Sequence, residues 1–422
     1  PDRPVQAHET PVTRIMREQR LRMAPCRSRR SHACRPSVQR SGFRDGAHRA
    51  ALPVLASLVD KSLLATDSAG RFTLHPMVAL FAAEKLAERP ERAVELALRH
   101  AEHYARYVEE LTPYLRTAQR RVADAVALEF ANILQAWRAA VEHARADLVG
   151  AMVRVLQSYF EQRGRLAEGL QILRPALLMG GTDDAAERTR ARTRQALSLL
   201  YYRAGDLGQS QLLAEAALEP ATHCGERIAL IGCLLNIGNC LLSRGQVREA
   251  LERFEQALQA ARAEDDRHGV AVALGNIGIA EKRLGNLDRA LEHYRSALAT
   301  ERELGNQYAV AIHLNNLGAL MRSRDPGAAL AYLQDGIAHC RACDVRQMLP
   351  FFQLNLGLTE LDLGQVDEAS GHLLAALEHS RAAGQLQIEL SAELALSDVD
   401  LRHQQLDSAL RRLRRVAATA RA

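Results

Sequence analysis

Four asparagines recur one repeat apart, at Asn236, Asn276, Asn316 and Asn355, each two places before a glycine. An amide offers one acceptor and two donors, so a column of them suits the backbone of an extended peptide. Stacked helices tied together by the same amides are the structural alternative. One turn further on stand Asn239, Ile279, Ala319 and Leu358, whose largely apolar character favours a partner with apolar side chains. The chain has only Lys61, Lys85 and Lys282, which argues against a lysine-based grip on carboxylates. The binding set read from the sequence is therefore Asn236, Asn239, Asn276, Ile279, Asn316, Asn355 and Leu358.

Other chemistry is sparse. Cys340-Arg-Ala-Cys343, preceded by His339, has the spacing of half a zinc or redox motif, but no second pair completes it. Cys233 and Cys240 sit among apolar positions and read as core residues. No G-x-x-x-x-G-K-[ST] loop, H-E-x-x-H or G-x-S-x-G string occurs. The chain is thus expected to be no enzyme and to need no cofactor or metal.

Something must position the asparagines, and the sequence shows what. Ala250, Ala290, Ala329, Ala369 and Ala409 recur every 39 or 40 residues. Four places after each stands Phe254, Tyr294, Leu333, Leu373 or Leu413, and three places later Ala257, Ala297, Gly336, Ala376 or Val416. Offsets of four and seven fall on one helix face. Gly238, Gly278, Gly318 and Gly357 precede the first four alanines by eleven or twelve residues, which predicts two helices in close approach. Gly164, Gly205, Gly245, Gly285 and Gly364 mark the turns between them. Each period reads as a helical hairpin that cannot bury its own apolar face, so stacking supplies the core. The fourth copy departs at Asp325-Pro326-Gly327, where the turn is one residue short.

The pattern resembles the tetratricopeptide repeat, in a variety of about 40 residues, over roughly residues 150 to 420. Leu274-Gly-Asn-Ile-Gly278 and Leu284-Gly-Asn-Leu-Asp-Arg-Ala290 carry the likeness. The resemblance implies an all-α solenoid that binds a protein or peptide in its concave groove.

Upstream, Leu52 to Leu64 reads as a short helix from Val54 to Lys61, followed by two strands joined at Asp67-Ser-Ala-Gly70. A helix after Leu74-His75-Pro76 completes a winged-helix pattern. The Leu-Val-Asp-Lys-Ser-Leu-Leu and Leu-His-Pro strings resemble the winged helix of STAND-class (AP-ATPase, NB-ARC-like) bacterial regulators. Glu129-Phe-Ala-Asn-Ile-Leu-Gln-Ala-Trp-Arg-Ala-Ala-Val-Glu142 resembles the helical connector that precedes their repeats. The likeness implies a sensor end whose NTPase domain lies in a longer parent protein. It also implies that His75, opening the last winged-helix helix, contacts a nucleotide diphosphate. Pro76 replaces the acidic residue usual after that histidine. On residue chemistry alone, a buried histidine bonded to a backbone carbonyl is the other reading.

The domains expected are a disordered basic segment over 1–50, a winged-helix-like domain over 51–90, a connector over 91–148 and the solenoid over 149–422. Residues 1 to 50 hold twelve arginines and four acidic residues, net +8. A nucleic-acid arm, a linker left by truncation and a stretch read in a shifted frame all fit that composition. DNA binding through the winged helix is the alternative function, but the helix from Val54 offers one lysine and the wing only Arg71, a thin basic face. Arg411, Arg412, Arg414 and Arg415 could mimic a nucleic-acid patch or complement a helix dipole. No apolar run is long enough for a membrane span or a signal peptide, so a cytoplasmic location is expected.

Overall fold

The computed structural model describes residues 37–38, 46–67 and 72–419. Most of the basic segment and the Asp67-to-Arg71 turn beyond Asp67 lie outside them. The chain divides into two compact units, residues 1–110 with 124–152, and residues 111–123 with 153–422.

In the first unit, α1 (Gly46–Asp60) leads through β2 (Leu64–Thr66) and β3 (Phe72–Leu74) to α2 (Pro76–Ala87). β3 is central, paired antiparallel with β2 and with β1 (Ser37–Val38) in the register Thr66 to Phe72 and Ser37 to Thr73. Leu64 and Phe72 are buried, one from each neighbouring strand. α1 begins well before the expected start at Val54, with Pro53 inside it. A proline is best suited to a first turn, where its missing N–H goes unneeded, and that preference set the expectation.

Two long helices follow, α3 (Pro90–Leu111) and α4 (Gln119–Glu142). Tyr104 on α3 donates to the Glu129 carboxylate on α4 (3.2 Å), and Asn132 donates to the same group (2.8 Å). Trp137, also on α4, is buried, 2% exposed. The connector string is therefore the packed half of a helix that starts ten residues earlier.

The second unit is built from helical hairpins. Their first helices are α5 (Ala146–Gln162, from Val153 in this unit), α7 (Asp184–Arg203), α9 (Arg227–Ser243), α11 (Arg267–Arg283), α13 (Gln307–Met321), α15 (Leu349–Asp362) and α17 (Leu386–Arg402). The second helices are α6 (Leu166–Leu173), α8 (Leu207–His223), α10 (Val247–Ala263), α12 (Leu287–Glu303), α14 (Pro326–Ala342), α16 (Val366–Ala382) and α18 (Leu406–Thr419).

In the four hairpins from α9 to α16 the seam is the one the small residues predict; in the last hairpin Ala409 is buried but Leu413, expected beside it, is exposed. Ala250, Ala290, Ala329 and Ala369 have no exposed surface, and Phe254, Tyr294, Leu333 and Leu373 are buried beside them. A methyl on Gly278 would stand 2.7 Å from the Tyr294 ring, and one on Gly357 2.6 Å from Leu373. Glycine inside a helix costs about 1 kcal/mol relative to alanine. Here that cost is offset by letting a large side chain lie flat against the opposite backbone. Gly336 performs the same service between hairpins, since Phe352 of the next first helix occupies the space of its missing side chain.

The turns inside the hairpins of α9 to α16 use two solutions. Gly245 and Gly285 adopt φ of 81° and 85°, which only glycine takes without strain. The short turn between α13 and α14 avoids positive φ altogether. The Asp325 carboxylate accepts from the Ala328 N–H (3.0 Å), and Pro326 opens α14 at its first position.

Candidate functional site: the open stripe of the first helices

Each first helix of the solenoid is flanked by its own second helix and by neighbouring hairpins, so little of its surface remains open. What remains is a half-buried stripe with helical spacing. In α11 it runs Val272, Asn276, Ile279; in α13 Ile312, Asn315, Ala319; in α15 Phe351, Asn355, Leu358; in α9 Gly232, Leu235, Asn239.

The seven residues expected to bind a partner divide on this geometry. Asn239, Asn276, Ile279, Asn355 and Leu358 lie on the stripe, and Asn316 is half-buried one residue from it. Asn236 is not: it is 4% exposed and donates to the Ser198 hydroxyl of α7 (3.1 Å). Asn355 donates to the Asn315 carbonyl oxygen one hairpin back (2.9 Å). Two of the four amides are thus engaged between helices, in the manner of the structural alternative. Asn276 and Asn316 make no hydrogen bond to protein among the described residues. Ile279 and Leu358 are partly spent as well, since each packs against the buried core between hairpins.

Several groups escaped the sequence reading. Ser198 and Ser210 stand where later hairpins have the packing glycine and alanine, and the Ser198 hydroxyl donates to the Ser210 carbonyl (2.8 Å). A polar pair thus replaces the bare contact, and a search for small apolar residues passes over it. Asn315 went unread because only its neighbour Asn316 holds the recurring place. The cations around the stripe are arginines, which the scarcity of lysine does not reveal. Arg192 on α7 chelates Glu226 (2.8 Å from two nitrogens), and Arg203 donates to Glu161 (2.8 Å). Arg154 on α5 is half-buried, within the field of Arg192.

A polar cluster interrupts the core at α11 to α13. Glu301 on α12, fully buried, meets Nδ1 of His268 (2.6 Å), while its second oxygen has no partner. His313 of α13 is 4% exposed, its Nδ1 also unpartnered, and burial pushes its pKa down to about 4. Gly275 leaves room for that ring, because a methyl there would stand 2.7 Å from it.

His75 is neither buried nor bonded to a carbonyl. It is exposed at the N-cap of α2, and its Nδ1 accepts from the Met77 N–H (3.3 Å). Cys340 is buried, its thiol pushed up to about 12 by burial, whereas Cys343 is exposed and donates to the Gln307 side chain (3.5 Å). Among the described residues no group of three or more His, Cys, Asp or Glu is placed to hold a metal, and no helix is long and apolar enough to cross a membrane. Arg412 and Arg415 are committed inside the chain, both donating to Glu393 (2.7 and 2.9 Å). Neither a nucleic-acid patch nor a helix dipole is needed to account for them.

The class these elements define is the tetratricopeptide-type helical solenoid. The tetratricopeptide repeat model matches residues 230–303. No curated protein sequence matches the chain. Solved structures share the fold at low identity. A Rap protein complexed with competence and sporulation factor superposes with a TM-score of 0.56 at 17% identity, over 78% of this chain and 98% of that one. The apo form of the quorum sensor NprR from B. thuringiensis gives 0.54 at 14%, over 88% and 99%. A signal transduction ATPase with numerous domains, bearing a tetratricopeptide repeat sensor, from Pyrococcus horikoshii gives 0.50 at 14%, over 86% of this chain and 57% of that one.

Proposed function

We propose that the solenoid is a regulatory module, without catalytic activity of its own, that binds a peptide or an extended protein segment along the open stripe. The observation that carries this reading is the state of Asn276 and Asn316, half-buried amides with no protein partner beside the stripe's apolar side chains. A half-buried amide left without a partner is costly unless water or a ligand supplies one. The Rap structures give support by fold, since one is solved with competence and sporulation factor and another with a Phr* peptide. Replacing Asn276 and Asn316 together by Ala should weaken partner binding by about 2 to 3 kcal/mol while the protein melts unchanged. A pull-down and a melt of both versions decide it. Retention of the partner by the double variant removes these amides from the binding surface, and loss of the fold makes them structural.

The finer proposal is that this module is the cytoplasmic sensor end of a STAND-type regulator, coupled to an NTPase domain in a longer parent. Support comes from the similar Pyrococcus horikoshii protein, of which this chain spans 57%, and from the exposed apolar face of α2 at Met77, Leu80 and Phe81. In that parent, the exposed His75 ring keeps Nε2 available for a nucleotide phosphate. His75→Ala in the parent should speed release of bound diphosphate, and an unchanged release rate counts against the assignment.

A further inference from the structure

We propose that Arg154 is the receptor for a carboxylate carried by the bound peptide, which rests on the peptide-binding reading above. Arg154 lies on α5 in the half-buried stripe, one turn before Ser158 and two before Glu161. Among the described residues its guanidinium makes no hydrogen bond or ion pair. The cations around it are occupied. Arg192 is chelated by Glu226, Arg188 stands 3.9 Å from the same carboxylate, and Arg116 meets Asp266 (3.3 Å) at the start of α11. Asp266 is therefore held by Arg116, and Arg154 is left facing two neighbouring guanidiniums without a carboxylate of its own.

Such an arrangement costs the folded protein. A guanidinium drawn out of water without a counter-ion loses solvation, and two like charges add repulsion. Desolvation first, then the fields of Arg116 and Arg192, weaken its hold on its proton, with Asp266 opposing only in part. Nothing in the hairpin contacts returns that cost. At the corresponding middle place of the stripe the later first helices carry neutral residues, Leu235, Asn276, Asn315 and Asn355, so only α5 puts a charge there. The planar fork of arginine matches the two oxygens of a carboxylate, which lysine does not. The chemistry selected is a peptide whose end or side chain brings one negative charge to the α5 and α7 side of the stripe, while the rest lies along α11 and α13.

The test uses the full chain and R154Q, each immobilised and offered pools of random hexapeptides. The pools have free or amidated C-termini, and each is made with and without Asp and Glu. Peptides with a carboxylate should be retained about tenfold over neutral amidated ones by the wild type, the effect of one charge-assisted hydrogen-bonded pair. R154Q should bring that ratio to parity and melt at the same or a higher temperature, since it removes an unpaired charge. Dependence on the free terminus or on Asp and Glu identifies which carboxylate is read. Peptides retained by both proteins at parity overturn the carboxylate site and leave the peptide-binding reading standing. No retention from any pool overturns both. A lower melting temperature for R154Q with unchanged selection makes Arg154 structural and overturns the site.

Discussion

The Arg412 guanidinium on the last helix holds two carboxylates of the preceding one, Glu393 at 2.7 Å and Asp400 at 2.9 Å. Glu393 is 1% exposed and receives further donors from Arg381 (2.6 Å) and Arg415 (2.9 Å). Burial alone would raise its pKa, but the bonds from Arg412 and Arg415 outweigh that and hold it below the ordinary range. A depressed carboxylate pKa stabilises the fold above the unfolded value, and the contribution disappears as pH falls through the folded one. Glu393→Ala should therefore loosen α18 from α17 and cost about 2 kcal/mol, discounted from a fully buried pair because Arg381 and Arg415 face solvent. Hydrogen exchange of α18 amides checks this, and equal protection in both proteins would show that apolar contacts alone dock the helix.

Substituting Ala290 by Leu should cost about 1 to 3 kcal/mol, because the seam beside Gly278 and Tyr294 has no room for three more carbons. In a solenoid the damage should concentrate in α11 to α14. Urea unfolding gives the magnitude, and residue-resolved exchange gives the spread.

His313 sets a pH dependence of its own. Its folded pKa, about 4, lies below the ordinary histidine value, so the unfolded chain takes up a proton that the folded one refuses. Stability should fall as pH drops from about 6.5 towards 4, by on the order of 3 kcal/mol, and then level off as far as this group is concerned. His313→Ala should flatten that slope, whatever it does to stability at pH 7. A slope that survives the substitution would trace the effect to other groups.

The asparagines should separate by energy. Asn236→Ala removes the buried bond to the Ser198 hydroxyl, which keeps only its own bond to the Ser210 carbonyl, and should cost about 1 kcal/mol, whereas Asn276→Ala should change stability by less than about 0.5. Parallel melts of the two single variants distinguish them.

How far the sequence could be read follows from what each feature costs to change. The alanine and glycine seams of α9 to α16 were legible because no larger residue fits there, so those four copies repeat the solution. The amides were only half legible. One residue is 100° of helix, so places that agree by alignment, such as Asn236 and Asn276, need not face the same way once flanking contacts differ. Asn316 and its neighbour Asn315 show the same slip within a single hairpin. Ion pairs were illegible for a different reason: Arg412 finds Glu393 nineteen residues away, and nothing in composition fixes such a pairing. The polar cluster at His268, Glu301 and His313 replaces residues that are mostly apolar in other copies, so a periodicity search discards it as noise.

The turn between α13 and α14 has a consequence for the bench. Asp325-Pro326 is the sole Asp-Pro step in the sequence, and such bonds are the peptide linkages most readily cut by warm dilute acid. The break would fall at the first position of α14, releasing residues 326–422 with α15 to α18 uninterrupted. A reagent no more elaborate than formic acid thus divides the solenoid at a helix boundary, without recloning. The two halves can then be refolded, mixed and asked whether they find each other again.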